Sequence, residues 1–307
     1  MTTVLSLTLK LSVPIVLGAL CGTISERAGV IMLGVEGMML FGAFFAVFGT
    51  FLTGNPWLGM MLAIIVGAIL GWLYCLFCLK FKGHQSVIGV GLNMLASGLT
   101  QVLLKSIWGR EGMSDFIPTI SNWKIPALQS VPVLNAIFSD QSPYFYMMII
   151  IVIAVWFVFY KTKIGLRYRA IGDHPLAVKT VGINVNKYRY VGLTIAGMLA
   201  SLGGSFLSIS YNNLFVADMV AGRGFMALGA SIFGGWTPLG CLFASMVFAF
   251  AQALSYTISD VSIPIYFIQM IPYVTTIVIL MFTGRTVHGP EALGKLVDCF
   301  YQDLHRE

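Results

Sequence analysis

The chain has 307 residues, of which 58% are hydrophobic and only 10% are charged. Soluble domains carry about 25% charged residues, so this composition excludes an ordinary soluble enzyme or binding module. The formal charge of +6 does not point to nucleic acid, because the basic residues flank apolar runs and no basic face with interleaved aromatics occurs.

A membrane-crossing helix needs about 20 mostly apolar residues. In chain order the candidate runs are 5–24, 30–52, 57–79, 87–107, 144–160, 190–210, the short 225–235, 239–258 and 263–282. They predict an all-α fold, a polytopic transmembrane bundle of about nine membrane segments forming one domain over residues 1–307. The first run is expected to be a retained helix, since residues 1–9 carry no basic side chain and so lack the charged start of a signal peptide. Run 225–235 is too short to cross alone. It reads as a half-helix, a re-entrant segment or the core of a longer helix.

Glycine pairs Gly18/Gly22 and Gly67/Gly71 have the small-xxx-small spacing that lets helix backbones approach in lipid. They predict a tight bundle without indicating a dimer. Cys75 and Cys78 have redox or zinc spacing, but no second ligand pair accompanies them. Packing as small apolar groups is the expectation there.

The connection 161–189 holds Lys161, Lys163, Arg167, Arg169, Lys179, Lys187 and Arg189 against a single acid, Asp173. Lys- and Arg-rich loops stay in the cytoplasm. Lys80, Lys82, Arg285, Lys295 and Arg306 then fall on the same side, while 53–56 and 259–262, without Lys or Arg, fall outside. The expected orientation is N-terminus out and C-terminus cytoplasmic. Segment 108–143 becomes an external loop, predicted to be a partly ordered cap. Within 161–189, Asp173-His174-Pro175 reads as a helix start and Gly182 as its stop. A short surface helix offered to a cytoplasmic partner is expected.

Polar residues in apolar surroundings are the functional candidates. Glu36 is expected about two turns into an apolar helix, where a carboxylate must be paired, hydrated or protonated. It is read either as a gate or substrate contact, or as a structural hydrogen bond to a helix start or to Arg27. Glu26 and Arg27 are expected to pair with each other. Asn93, Ser97, Thr100 and Gln101 put most of a polar stripe on one helix face. Gln252, Ser255, Tyr256, Gln269 and Tyr273 form a third group near the C-terminus. Glu36, Asn93, Ser97, Gln252, Gln269 and Tyr273 are the proposed substrate pathway.

No G-x-x-x-x-G-K-[ST], H-E-x-x-H or G-x-S-x-G grouping occurs, so neither an ATP site nor catalysis is expected in this chain, nor a resident cofactor or metal. An ion-coupled secondary transporter is the alternative of another class. It would be expected to carry several paired intramembrane charges, whereas Glu36 alone qualifies clearly.

Four runs carry a family resemblance. Ser25-Glu26-Arg27-Ala28-Gly29-Val30 followed by Gly34-Val35-Glu36-Gly37-Met38-Met39 resembles the N-terminal motif of nucleoside and simple-sugar ABC importer permeases. Arg169-Ala170-Ile171-Gly172-Asp173-His174-Pro175, with Ala177 and Val181-Gly182-Ile183, is similar to that family's cytoplasmic coupling segment. Gly222-Arg223-Gly224-Phe225-Met226-Ala227-Leu228, with Trp236 and Pro238-Leu239-Gly240, resembles a third motif, and Met270-Ile271-Pro272-Tyr273 the last helix. The resemblance spans nearly the whole chain and belongs to the basic-membrane-lipoprotein type of nucleoside system, within the wider ribose and branched-chain amino acid permease superfamily. It implies a permease in the bacterial cytoplasmic (inner) membrane that imports nucleosides, or alternatively simple sugars or riboflavin. The implied partners are a second permease in a heterodimer, an ABC ATPase carrying the ATP and Mg, and an extracellular or periplasmic substrate-binding lipoprotein, in contact with membrane lipid. It also makes the helix at Asp173, Pro175, Leu176, Ala177, Thr180, Val181 and Gly182 the point of ATPase coupling.

Overall fold

The computed structural model describes residues 2–123, 141–257, 270, 274–275, 281 and 289–294. Seven of the described helices are long and apolar enough to cross a membrane. These are α1 (Thr2–Arg27), α2 (Val35–Thr53), α3 (Pro56–Leu79), α4 (Gln85–Trp108), α5 (Pro143–Lys161), α8 (Val185–Phe206, continued by a π-helical turn, Leu207–Asn212) and α10 (Pro238–Thr257). Three shorter helices lie between them: α6 (Lys163–Asp173), α7 (Pro175–Thr180) and α9 (Arg223–Phe233). Among the described residues there is no strand, only isolated antiparallel bridges such as Met113 with Val216.

The helix ends follow from local chemistry. Asn55 and Ser142 accept hydrogen bonds from the second backbone N–H of α3 and α5, and Pro fills the first position of each, where its missing N–H costs nothing. Asn184 caps α8 through the N–H of Lys187. Gly54 ends α2 with φ 69°, which a glycine adopts without Cβ strain.

α1 is the central post, with α8, α9 and α10 packed around it, and α8 in turn lies against α2 and α3. The two glycine pairs make these approaches within the chain. Gly18 and Gly22 face Ala227 and Ser231 of α9, and Gly67 and Gly71 face Gly197 and Leu193 of α8. Cys75 and Cys78 are buried in the apolar core, as expected of small packing groups.

Several expectations need correction. Run 30–52 is helical only from Val35, because Gly29 turns the chain with φ 80° and residues 28–34 stay irregular. Glu36 therefore sits in the first turn of α2, not two turns in. Run 190–210 starts earlier, at Val185, and is carried to Asn212 by the π-helical turn. Glu26 and Arg27 do not pair. Adjacent helical residues diverge, and both instead hold the turn between α9 and α10: Trp236 Nε1 donates to Glu26, while Arg27 donates to the carbonyls of Trp236 and Gly235.

The basic connection contains two helices rather than one. Asp173 ends α6, and α7 starts at Pro175 after His174. Gly182 does stop the segment, with φ 81°. Arg189 is not part of the exposed connection. It is buried in α8 and donates from Nε to the Ala28 carbonyl at 2.9 Å. In the segment expected to be external, Ser114, Ile117 and Ala217 form backbone bonds that join residues 112–117 to 213–217. Residues 289–294 lie beside the basic connection, with Ala292 N donating to the Gly172 carbonyl and Gly294 N to the Gly29 carbonyl. Most of the ninth expected segment, 263–282, lies outside the described residues, as do residues 124–140, Arg285, Lys295 and Arg306.

Candidate functional site

Non-helical backbone inside a membrane bundle needs its polar groups satisfied by protein, and side chains of α3 and α4 do this for several groups at the start of α2. Ile31 N donates to Gln85 Oε1 at 2.8 Å, and the Tyr74 hydroxyl donates to the Ile31 carbonyl at 2.8 Å. Asn93 then bridges the start of α2: Nδ2 donates to the Leu33 carbonyl at 3.0 Å, and Oδ1 accepts from Gly37 N at 2.8 Å. Asn93 stands eight residues beyond Gln85 on α4, about 12 Å along the axis. The start of α2 is thus lifted well above the start of α4.

Glu36 reaches from this raised start to a second helix start. Its Oε1 accepts from Gly222 N at 2.8 Å and its Oε2 from Gly224 N at 2.7 Å. The first N–H groups of a helix have no partner within it; at the start of α9 this carboxylate takes those of Gly222, the residue before the helix, and of Gly224, while Arg223 N donates to the Val220 carbonyl. The negative charge also lies near the positive ends of both α2 and α9. Of the two roles expected for Glu36, the bond to a helix start is present. Its closeness to a cavity leaves room for the other.

That cavity, about 390 Å³, is bounded by α2, α4 and the segment leading into α9, with Glu36, Asn93, Ser97 and Asp218 among its walls. Gln101 Nε2 contributes a 3.3 Å bond to Asp218 Oδ2. Thr100 does not join the stripe; it is buried and bonds back to the Ala96 carbonyl. Gln252 is also elsewhere. It is buried on α10, where its Oε1 has no hydrogen bond among the described residues. Gln269 and Tyr273 lie outside the described residues.

Two residues of the site were not anticipated. Asp218 is held at φ 53° on the irregular segment before α9. Its sequence signal was a lone carboxylate in residues 211–222, just ahead of a helix too short to span. Arg223 stood in a recognised motif without a role. It donates from Nη1 to the Met219 and Val220 carbonyls at 3.0 and 3.1 Å, and from Nη2 to the Tyr256 hydroxyl at 3.1 Å. It therefore stiffens the loop that presents Asp218.

The arrangement places carboxylate, amide and hydroxyl groups around one cavity. Among the described residues no group of three His, Cys, Asp or Glu could hold a metal ion.

At the far end of the basic connection, Pro175 and Val178 are buried with α7's inner face against Ile171 and Val185. Leu176 is half-buried, while Ala177, Thr180 and Val181 are exposed, Val181 at 77%.

The model of the family described as branched-chain amino acid transport system / permease component matches residues 4–281. The guanosine ABC transporter permease protein NupQ of Bacillus subtilis (strain 168) is 39% identical over 300 residues, 94% of this chain and 93% of that protein. The nucleoside ABC transporter permease protein NupC of Lactococcus lactis subsp. cremoris (strain MG1363) is 34% identical over 296 residues, 92% of each. Among solved structures, a chain of an inward-facing metal-chelate type ABC transporter is 16% identical. It superposes with a TM-score of 0.50 over 91% of this chain and 85% of that one, a likeness of fold alone.

Proposed function

Because the chain belongs to the branched-chain amino acid transport system / permease component family, we propose that it is the membrane-spanning permease subunit of an ATP-driven importer for nucleosides. The observation that carries this reading is the cavity where the starts of α2 and α9 meet beside Asn93, Ser97 and Asp218. Small-molecule sites commonly occupy about 300–1,000 Å³, a range that admits a nucleoside. Amide and carboxylate groups match the hydroxyls and base edges such a ligand presents. The guanosine and nucleoside permeases named above resemble this chain from end to end.

The energy source belongs to a partner. ATP and Mg are taken up by a separate ABC ATPase, which docks on the exposed Ala177, Thr180 and Val181 of α7 and on Leu176. Asp173, Pro175 and Gly182 set where that helix begins and ends. A second permease completes a heterodimer, and a substrate-binding lipoprotein delivers the nucleoside from outside. The chain is a single permease domain in the bacterial inner membrane, with 161–189 as its coupling loop and 108–143 as its external loop. Nine crossings put the N-terminus outside and the C-terminus in the cytoplasm. Residues 213–222 and α9 together form one of them, broken halfway at Glu36. The seating of residues 289–294 against Gly172 supports placing the C-terminus on the side of the basic connection.

Photoaffinity labelling of the assembled complex with 8-azidoguanosine tests the site. Labelled peptides are expected from residues 33–40, 93–101 and 218–224, with protection by excess guanosine. Label confined to α10, or label that guanosine does not displace, would remove this cavity from the pathway.

A further inference from the structure

A second cavity lies away from this pathway. α5 and α8 both lean on α1 and leave a gap of about 400 Å³ between them, floored by Ile24 and walled by Val155, Phe159, Val191 and Ile195. The wall is almost wholly apolar, because the one hydroxyl deep within it, on Tyr168, is turned inward to the Ile24 carbonyl at 2.7 Å. No polar group is placed there to orient a soluble metabolite. The flanks beside the gap are apolar and open: Ile150 and Ile153 on α5 and Val191 on α8 are all more than half exposed.

The cytoplasmic mouth differs in chemistry. Lys187 lines it, and Arg167 donates to the hydroxyl of Tyr188, another lining residue, at 3.3 Å. Lys161 and Lys163 are exposed nearby at the junction of α5 and α6. None of these four cations is in an ion pair among the described residues. Lys161 stands 6.0 Å from the Trp156 ring and Arg169 4.8 Å from the Tyr160 ring. Trp and Tyr gather at the headgroup level of a bilayer. α6 itself exposes Ile164 at 58% and Leu166 at 63% beside Lys163 and Arg167. Apolar and basic residues side by side on one short helix mark a segment lying in the membrane surface.

The geometry points to a binding site for an anionic phospholipid of the cytoplasmic leaflet, with an acyl chain in the gap between α5 and α8 and the phosphate held by Lys187 and Arg167. Charge selects the occupant: an apolar slot rimmed by cations that are unpaired among the described residues matches an anionic lipid, and a zwitterionic lipid leaves the rim uncompensated. The lipid seals the bundle directly behind the α6–α7 connection. This site is independent of the nucleoside reading and stands or falls without it.

The test uses the full complex in nanodiscs, with retention of phosphatidylglycerol against phosphatidylcholine measured by native mass spectrometry. The double variant Lys187→Glu, Arg167→Glu is expected to lower phosphatidylglycerol retention about tenfold, with phosphatidylcholine unaffected. Val191→Phe, which fills the slot, is expected to lower retention without any change of charge. Lys80→Glu, a cytoplasmic charge change away from the slot, is expected to leave it intact. On the unaltered complex, photoactivatable phosphatidylglycerol is expected to label peptides holding residues 154–159 and 187–195. Retention unchanged in the slot variants, an equal loss in Lys80→Glu, label elsewhere, or a cross-link from Val191 to the second permease would each overturn the proposal.

Discussion

Glu36 and Asn93 occupy positions where structure and proposed transport coincide. Each satisfies backbone groups that have no other partner: Gly222 and Gly224 N–H for Glu36, Gly37 N–H and the Leu33 carbonyl for Asn93. Leaving a buried donor or acceptor unpaired costs about 1–3 kcal/mol. Glu36→Gln, which keeps one acceptor and sets a new donor against an N–H, and Asn93→Leu are both expected to lower the unfolding temperature and uptake together. Asp218 is different. It is exposed to the cavity and holds no backbone group in place, and substitutions at such positions usually change stability by less than about 0.5 kcal/mol. Asp218→Asn is expected to weaken nucleoside uptake with the melting curve unmoved. A fall in melting temperature for Asp218→Asn, or none for Asn93→Leu, would reverse these assignments. The sequence made Glu36, Asn93 and Ser97 legible because a polar group in an apolar run stands out. Asp218 was missed because residues 211–222 fall between the apolar runs read as membrane segments, so its lone carboxylate was not weighed as a polar group in an apolar helix.

At the scale of elements, the meeting of α2 and α9 depends on close approach. A Cβ on Gly224 would stand 2.6 Å from Glu36 Cα and 2.7 Å from Glu36 N, so Gly224→Ala must push α9 off its cap. Overpacking of this kind costs about 1–3 kcal/mol. Gly91, on α4, has open space around its Cβ position, and Gly91→Ala is expected to leave the melting temperature unchanged or higher. Equal effects at the two positions would show that the α2–α9 contact is not under this constraint. α7 makes a separate prediction. Its buried face, Pro175 and Val178, fixes it to the protein, and Ala177 faces outward. Ala177→Glu is expected to abolish co-purification of the ATPase while gel filtration and helicity stay normal; retained ATPase and uptake would move the docking site elsewhere. The length of run 225–235 announced a partial helix, and the spacing of the glycine pairs announced close packing. The start of α2 was obscured because hydropathy continues unbroken through residues 30–34, where side chains from α3 and α4, not the local sequence, hold the backbone out of a helix.

In the proposed mechanism the whole molecule joins two ends. A polar cavity sits where two helices begin inside the bundle, and a short helix stands exposed on the basic connection. α1 runs between them, with Arg27 and Glu26 holding the α9–α10 turn and Ala28 held by Arg189 of α8. Movement of α7 and α8 against α1 is therefore in a position to reach α9 and its cap on Glu36. The proposed orientation rests on Lys and Arg alone, since that bias needs no tertiary information. The path between the two ends was not legible in the sequence, because it runs through backbone carbonyls that no side-chain pattern reports. The most direct test is uptake of labelled guanosine into vesicles containing this chain with its ATPase, second permease and binding protein, with ribose and riboflavin in parallel. The expected result is ATP-dependent guanosine uptake that disappears when the ATPase is omitted. Uptake driven by an ion gradient without the ATPase, or uptake of ribose or riboflavin with none of guanosine, would contradict it.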